Sequence, residues 1–181
     1  MPTKFLDLGD DLLLRCLYGG ATTLPDVPPP LAGGTALVFV PGAGGSAPHF
    51  APQLEHFAVA HSPLALDLPG HGRSTGLAGP ASIGDAAAVL LRALSRLAAP
   101  PVVLVGHGFG GLVALAAALA DASRVRSVVT IGAGLRCDIP ETEFEKLAAV
   151  VAGKRGQFFD TPFFAESTKP EVMRAFFAAL A

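Results

Sequence analysis

Positive charge is sparse in this chain, and no stretch of it is basic. The 13 lysines and arginines are outnumbered by 15 aspartates and glutamates, for a net charge of −2, and the basic residues are scattered rather than clustered. Such a surface offers no field for a phosphate backbone, so nucleic acid is not expected as a partner. Cysteine is nearly absent: Cys16 and Cys137 stand apart, with no CxxC pair and no metal-ligand spacing. Both read as small buried hydrophobes in a protein of the reducing cytoplasm, and no metal or cofactor is expected. No apolar signal region is expected at the N-terminus, because Asp7 arrives before one can form. A membrane span is not expected either. Residues 102–120 are apolar enough to suggest one, but the glycine-rich turn in their middle makes them a strand followed by a helix.

What the chain has in abundance is apolar surface to bury. Of its 181 residues 51% are hydrophobic and 15% charged, enough for one good core. In chain order, Lys4–Leu8 and Leu12–Tyr18 are strand-like runs around Gly9-Asp10-Asp11, which signals a hairpin. Residues 19–34 carry Pro25, Pro28, Pro29 and Pro30 and form a loop. Ala36–Val40 is a buried strand stopped by Pro41 and Gly42-Ala43-Gly44-Gly45, and a short helix follows from Pro48 to Phe57. Leu64–Leu68 is a third run of buried-strand type and leads into Pro69-Gly70-His71-Gly72-Arg73-Ser74. Ser82 opens a helix, with Asp85 placed to complete a capping box. Val89, Leu90, Ala93, Leu94 and Leu97 give that helix one apolar face, and Pro100-Pro101 ends it.

Val102–Val105 then reads as a central strand, Gly106–Gly108 as a tight turn and Gly110–Ala120 as a helix. Val125–Ile131 is a further strand. Strands alternating with helices imply a mostly parallel sheet of about six strands flanked by helices. After Gly134 only helices are expected. Asp138 before Pro140 and Glu141 suits an N-cap, and Phe144, Leu147, Ala148 and Val151 form one stripe. A capping box at Thr168-Lys169-Pro170-Glu171 leads a second, with Met173, Phe176, Phe177 and Leu180. The chain therefore divides at residue 134 into a core, 1–134, and a helical segment, 135–181.

Two kinds of site place a glycine-rich strand-to-helix turn at the carboxyl edge of such a sheet. Gly106, Gly108 and Gly111 match G-x-G-x-x-G, a dinucleotide fingerprint, but the following strand ends in Ile131-Gly132 with no acidic residue for a ribose. Alternatively, Gly106-His107-Gly108-Phe109-Gly110 has the spacing of a nucleophile elbow, Gly-x-nucleophile-x-Gly, with glycine at the nucleophile position.

Three motifs in order and spacing decide between them. Val38-Phe39-Val40-Pro41-Gly42-Ala43-Gly44-Gly45, then Leu66-Asp67-Leu68-Pro69-Gly70-His71-Gly72-Arg73-Ser74, then Val105-Gly106-His107-Gly108-Phe109-Gly110-Gly111 together resemble the α/β-hydrolase superfamily, of the esterase- and lipase-like type. The resemblance covers roughly the first three quarters of the chain, and the tail resembles the start of a helical cap. It implies a serine ester-hydrolase lineage acting on small apolar esters, in which the chain order of the triad is nucleophile, acid, histidine.

The departures bear on activity. Gly108 replaces the nucleophile, and the five histidines, His49, His56, His61, His71 and His107, include none beyond the elbow's own turn. Pro41 stands where many members carry histidine. Asp138 follows the sixth strand but reads as a helix cap rather than the triad acid. Ser46 and Ser74 read as turn residues, His71 and Arg73 as braces for their loop, and His107 as a packing or hydrogen-bonding residue beneath the elbow. By resemblance the backbone N–H groups of Ala43 and Phe109 form an oxyanion hole, with Gly42, Gly44 and His107 lining the pocket. A catalytically impaired, shortened hydrolase is therefore expected, or a non-catalytic protein that binds a small molecule in the same pocket. Val125–Ile131 is expected to be an exposed sheet edge through which the chain could self-associate, and Gly108 to have a positive φ.

Overall fold

Short aliphatic runs separated by turn residues build one six-stranded sheet. The computed structural model describes residues 1–74 and 79–135, together with 141, 142 and 145. β1 (Thr3–Asp7) and β2 (Leu13–Tyr18) form the antiparallel hairpin expected around Gly9-Asp10-Asp11. β3 (Ala36–Val40), β4 (Ser62–Leu66), β5 (Val102–His107) and β6 (Val125–Ile131) run parallel to one another. The order across the sheet is β1-β2-β4-β3-β5-β6, with β2 antiparallel to β4.

One boundary differs from the sequence pattern in a way that matters. β4 begins at Ser62, whose N–H donates to Thr35 O at 3.0 Å, and its ladder to β3 ends at the Phe39–Ala65 pair. The apolar run Leu64–Leu68 suggested a strand two residues further on. Asp67 lies outside the strand instead, where its carboxylate serves the loops above the sheet.

α2 (Ile83–Arg96) and α3 (Phe109–Ala120) cover one face. Ser82 caps α2 by accepting the Asp85 N–H at 3.1 Å, as its sequence suggested. Val38, Val40, Leu64, Leu66 and Leu104 from the strands pack there with Leu90, Leu94, Val113, Ala114 and Ala117 from the helices, all fully or almost fully buried. Each large aliphatic side chain withdrawn from water contributes roughly 1.5–3 kcal/mol. The helix expected from Pro48 to Phe57 is a 3-10 turn, Ala47–Phe50, running into α1 (Ala51–Phe57). Pro48 and Pro52 each stand in a first turn, where a missing N–H costs little. These two elements cover the other face more sparingly, with Phe39, Leu17 and Ala65 against Phe50 and Leu54.

β6 is an edge, as expected: β5 pairs with one side, and among the described residues no strand pairs with the other. Its exposed side chains include Val129 and Ile131, each 47% accessible. The chain splits into two compact units, Met1–Gly134 and Leu135–Ala181. Residues 141, 142 and 145 are helical. Cys137, Asp138 and the phenylalanine-rich stripes expected in the second unit lie outside the described residues. No helix among the described residues is long and apolar enough to cross a membrane.

Candidate active site

The sheet order puts two loops side by side. The chain leaves β3 toward β4 on one side, and α2 then carries it back to β5 on the other, so the connections diverge between β3 and β5. Crevices of parallel sheets open at such a point, beyond the carboxyl ends of the strands. Here the two flanking loops are Gly42–Gly45 and Gly108.

Gly108 alone separates β5 from α3, with φ 52° and ψ −120°. This positive φ was expected of an elbow, and it is sparsely populated by any residue with a side chain. The turn is pinned by the Gly108 N–H to Ile131 O at 2.8 Å and by the Gly111 N–H to Gly108 O at 2.9 Å. Strand and helix meet backbone to backbone. A β-carbon at Gly106 would run into the Gly110 backbone, and one at Gly110 would run into the carbonyl of Val40. A β-carbon at 108, by contrast, would meet nothing nearer than Gly42 Cα at 4.0 Å. Space for a side chain is therefore open at 108, although the positive φ would strain any residue that carried one.

The loop after β3 is held from below by Asp67, the one buried charge among the described residues. Its Oδ1 accepts the Ala47 N–H at 2.5 Å and its Oδ2 the Arg73 N–H at 2.9 Å. Arg15 Nη1 stands 3.5 Å from Oδ2, with side-chain exposures of 12% for Arg15 and 0% for Asp67. Ser74 Oγ donates to the Asp67 carbonyl at 2.7 Å and accepts the Arg15 N–H at 3.0 Å. One carboxylate thus ties β2, the loop after β3 and the loop after β4 together. Composition does not reveal this role; the signal was a charged residue inside the apolar run Leu-Ala-Leu-Asp-Leu.

Three of the five histidines gather near the elbow. His71 donates from Nδ1 to Pro69 O at 3.0 Å and stacks on Phe109, with ring centroids 6.5 Å apart and planes 7° from parallel. It braces its loop, as does Arg73 through its backbone N–H. His49 Nδ1 accepts the Ser46 N–H at 3.2 Å, and burial lowers its pKa below the usual 6.5. Ser46 occupies the N-cap position of the 3-10 turn. His107 is exposed rather than packed. Alternation along β5 places it on the face that the 3-10 turn and α1 cover, and in that cluster the packing on β5 reaches only Val105. A β-carbon on Gly42 would stand 3.0 Å from His107 Nδ1, so the imidazole borders the loop. His56 and His61 precede β4, toward the amino ends of the parallel strands. Among the described residues neither the Ala43 nor the Phe109 amide donates to a backbone acceptor, and no group of three or more metal-ligating side chains comes together.

Comparison with known proteins bears on the same stretches. A sequence model of the alpha/beta hydrolase fold family matches residues 35–176. A protein from Azorhizobium caulinodans described as carbamate hydrolase RutD is 34% identical over 105 residues, or 58% of this chain and 40% of its own length. The (E)-2-((N-methylformamido)methylene)succinate hydrolase of Acinetobacter baylyi is 38% identical over 80 residues, 44% of this chain and 30% of its own. This chain thus spans well under half the length of either relative. The crystal structure of a hydrolase from Pseudomonas aeruginosa superposes with a TM-score of 0.77 at 22% identity, covering 98% of this chain and 66% of that one. The dinucleotide alternative loses its basis, since Gly106, Gly108 and Gly111 serve close packing and a positive φ within a hydrolase-type sheet. Sheet order, elbow geometry and the match over residues 35–176 agree: the chain belongs to the α/β-hydrolase fold family.

Proposed function

We propose that this chain binds a small carbonyl or carboxylate compound at the elbow without forming an acyl-enzyme. The observation that carries this is Gly108: the backbone keeps the strained geometry of a nucleophile position, while the residue has no nucleophilic atom. Ala43 and Phe109 supply the N–H donors of an oxyanion hole, which needs no side chain. The positive end of α3 favours an anionic oxygen at the same place. Gly42, Gly44 and His107 border the pocket, and no metal or cofactor takes part. A free, buried Cys16 supports a cytoplasmic setting.

Restoring the side chain tests this. Gly108→Ser should not confer rapid hydrolysis on this chain, because a serine hydroxyl near neutral pH needs a base to take its proton as it attacks, and the last histidine of the sequence is His107. An oxyanion hole alone leaves about 10³–10⁴-fold over water in triad enzymes, so slow turnover of an activated aryl ester is the ceiling. Release of the aryl group and trapping by a serine-directed phosphonate are measured for wild type and variant. Rapid, phosphonate-sensitive turnover by the variant would reveal a base near the elbow, and rapid turnover by the wild type would refute a binding-only site.

A second reading rests on the names of the relatives, which are hydrolases of a carbamate and of a substituted methylene succinate. By that reading the site hydrolyses a small apolar ester or related acyl compound. The same wild-type assay distinguishes the two.

A further inference from the structure

The segment that carries the Ala43 amide is a short loop held by few bonds. Its turn is closed by the Gly45 N–H to Gly42 O at 2.9 Å. Beyond the turn, two backbone amides are anchored by side chains: Ser46 N–H to His49 Nδ1 at 3.2 Å, and Ala47 N–H to Asp67 Oδ1 at 2.5 Å. The two anchors differ in kind. Asp67 lies at 0% exposure against Arg15 and the Arg73 amide. His49 is a titratable acceptor.

A backbone N–H can only donate, so His49 Nδ1 must carry its lone pair and the ring proton must sit on Nε2. Adding a proton to Nδ1 turns that acceptor into a second donor facing the Ser46 N–H, and the bond is lost. A β-carbon on Gly45 would stand 3.3 Å from the same nitrogen, so the ring lies directly against the loop. Two ionisable groups act on His49 from neighbouring elements: Asp67, beyond the end of β4, favours its charged form, and His107, at the end of β5, opposes it. Burial outweighs the pull of Asp67 and keeps the ring neutral to a pH below 6.5.

We propose that His49 is a positioning residue for the oxyanion loop: its neutral imidazole holds the Ser46 amide, orients the Ala43 N–H toward the elbow, and releases both when it is protonated. The inference rests on the oxyanion role given above to Ala43. It places a charge-dependent element in a loop that would otherwise present backbone donors alone.

Two-dimensional NMR of the full chain tests it. The amide resonances of Ala43, Ser46 and Phe109 and the His49 ring are followed from mildly alkaline to acid pH, with and without butyrate as probe. The Ser46 and Ala43 amides should shift together with His49, at a midpoint below 6.5. Butyrate should bind about tenfold more weakly on the acid side, the effect of one lost hydrogen bond. His49→Asn, whose side-chain oxygen can accept the same N–H, should hold the loop without the pH dependence. His49→Phe should leave the loop in its released state at every pH. If the Ser46 and Ala43 amides ignore the titration of His49, or respond to pH unchanged in His49→Phe, the inference is overturned. The wild-type titration decides the matter even if a variant fails to fold. If butyrate shifts neither the Ala43 nor the Phe109 amide at any pH, the proposed binding function fails, while the coupling between His49 and the two amides still decides this inference.

Discussion

At the scale of single residues, backbone demands and burial decide what each position can do. Gly108 occupies a conformation that costs a residue with a side chain about 1–3 kcal/mol. Gly108→Ser should therefore lower the urea midpoint by a corresponding amount even though space for the β-carbon is open. An unchanged midpoint would mean that the turn relaxes around the new side chain. Cys16 shows the opposite kind of control, because the backbone there is ordinary and burial dictates the chemistry. Its thiol is pushed up to about 12 by desolvation, and the thiolate is the reactive species. Alkylating reagents at neutral pH should leave Cys16 unmodified in the native chain and label it in urea, as peptide mapping would show. Rapid native labelling at Cys16 would contradict the burial of this β2 side chain.

Between elements, a few contacts determine how closely the parts that carry the site approach. Gly110 lets α3 lie directly on the carbonyls of Val40 and Pro41. Alanine there must lift the helix off β3, and overpacking of this kind typically costs about 1–3 kcal/mol. The outcome to check is a lowered urea midpoint, with displaced amide resonances at Gly42 and Gly108. Asp67 works across three elements at once. Replacing it by alanine strands the Arg15 guanidinium and the amides of Ala47 and Arg73, and breaking a buried pair in this way costs about 3–5 kcal/mol. Asp67→Asn should be milder, since an amide oxygen can still accept one of those bonds. Equal losses for the two variants would show that charge, rather than hydrogen bonding, sets the contribution. The histidine cluster belongs to this scale too: His49, His71 and His107 are far apart in sequence, and only the loops after β3, β4 and β5 bring them around one turn.

For the whole molecule, the sheet edge is the dominant physical fact. β6 presents Val129 and Ile131 at 47% exposure on a strand whose outer side has no strand partner among the described residues. Edges of that kind recruit other strands unless charge or cover prevents it. We therefore propose that the chain self-associates through Val125–Ile131. Sedimentation velocity should show an average mass that rises with concentration, and Val129→Lys should suppress the rise. A monomer at all concentrations would falsify the proposal.

Apolar periodicity and turn chemistry located the strands of the core to within two residues and the start of α1 to within three, because both act locally. The positive φ at 108 was expected from the resemblance to a nucleophile elbow rather than from periodicity, and Gly108 has it, at 52°. The six strands were legible because each is a separate aliphatic run, whereas the exposed edge at Val125–Ile131 was expected from the resemblance, since the family's sheet continues past its sixth strand. Strand order, the roles of Asp67 and Arg15 and the gathering of three histidines were not legible. Those depend on which loops the crossover through α2 brings together, and pairing between segments many residues apart leaves no periodic trace in the sequence. The exposure of His107 was likewise decided by tertiary structure. Alternation along β5 assigns it a face, but only the reach of the 3-10 turn and α1 over that face determines whether the imidazole is covered.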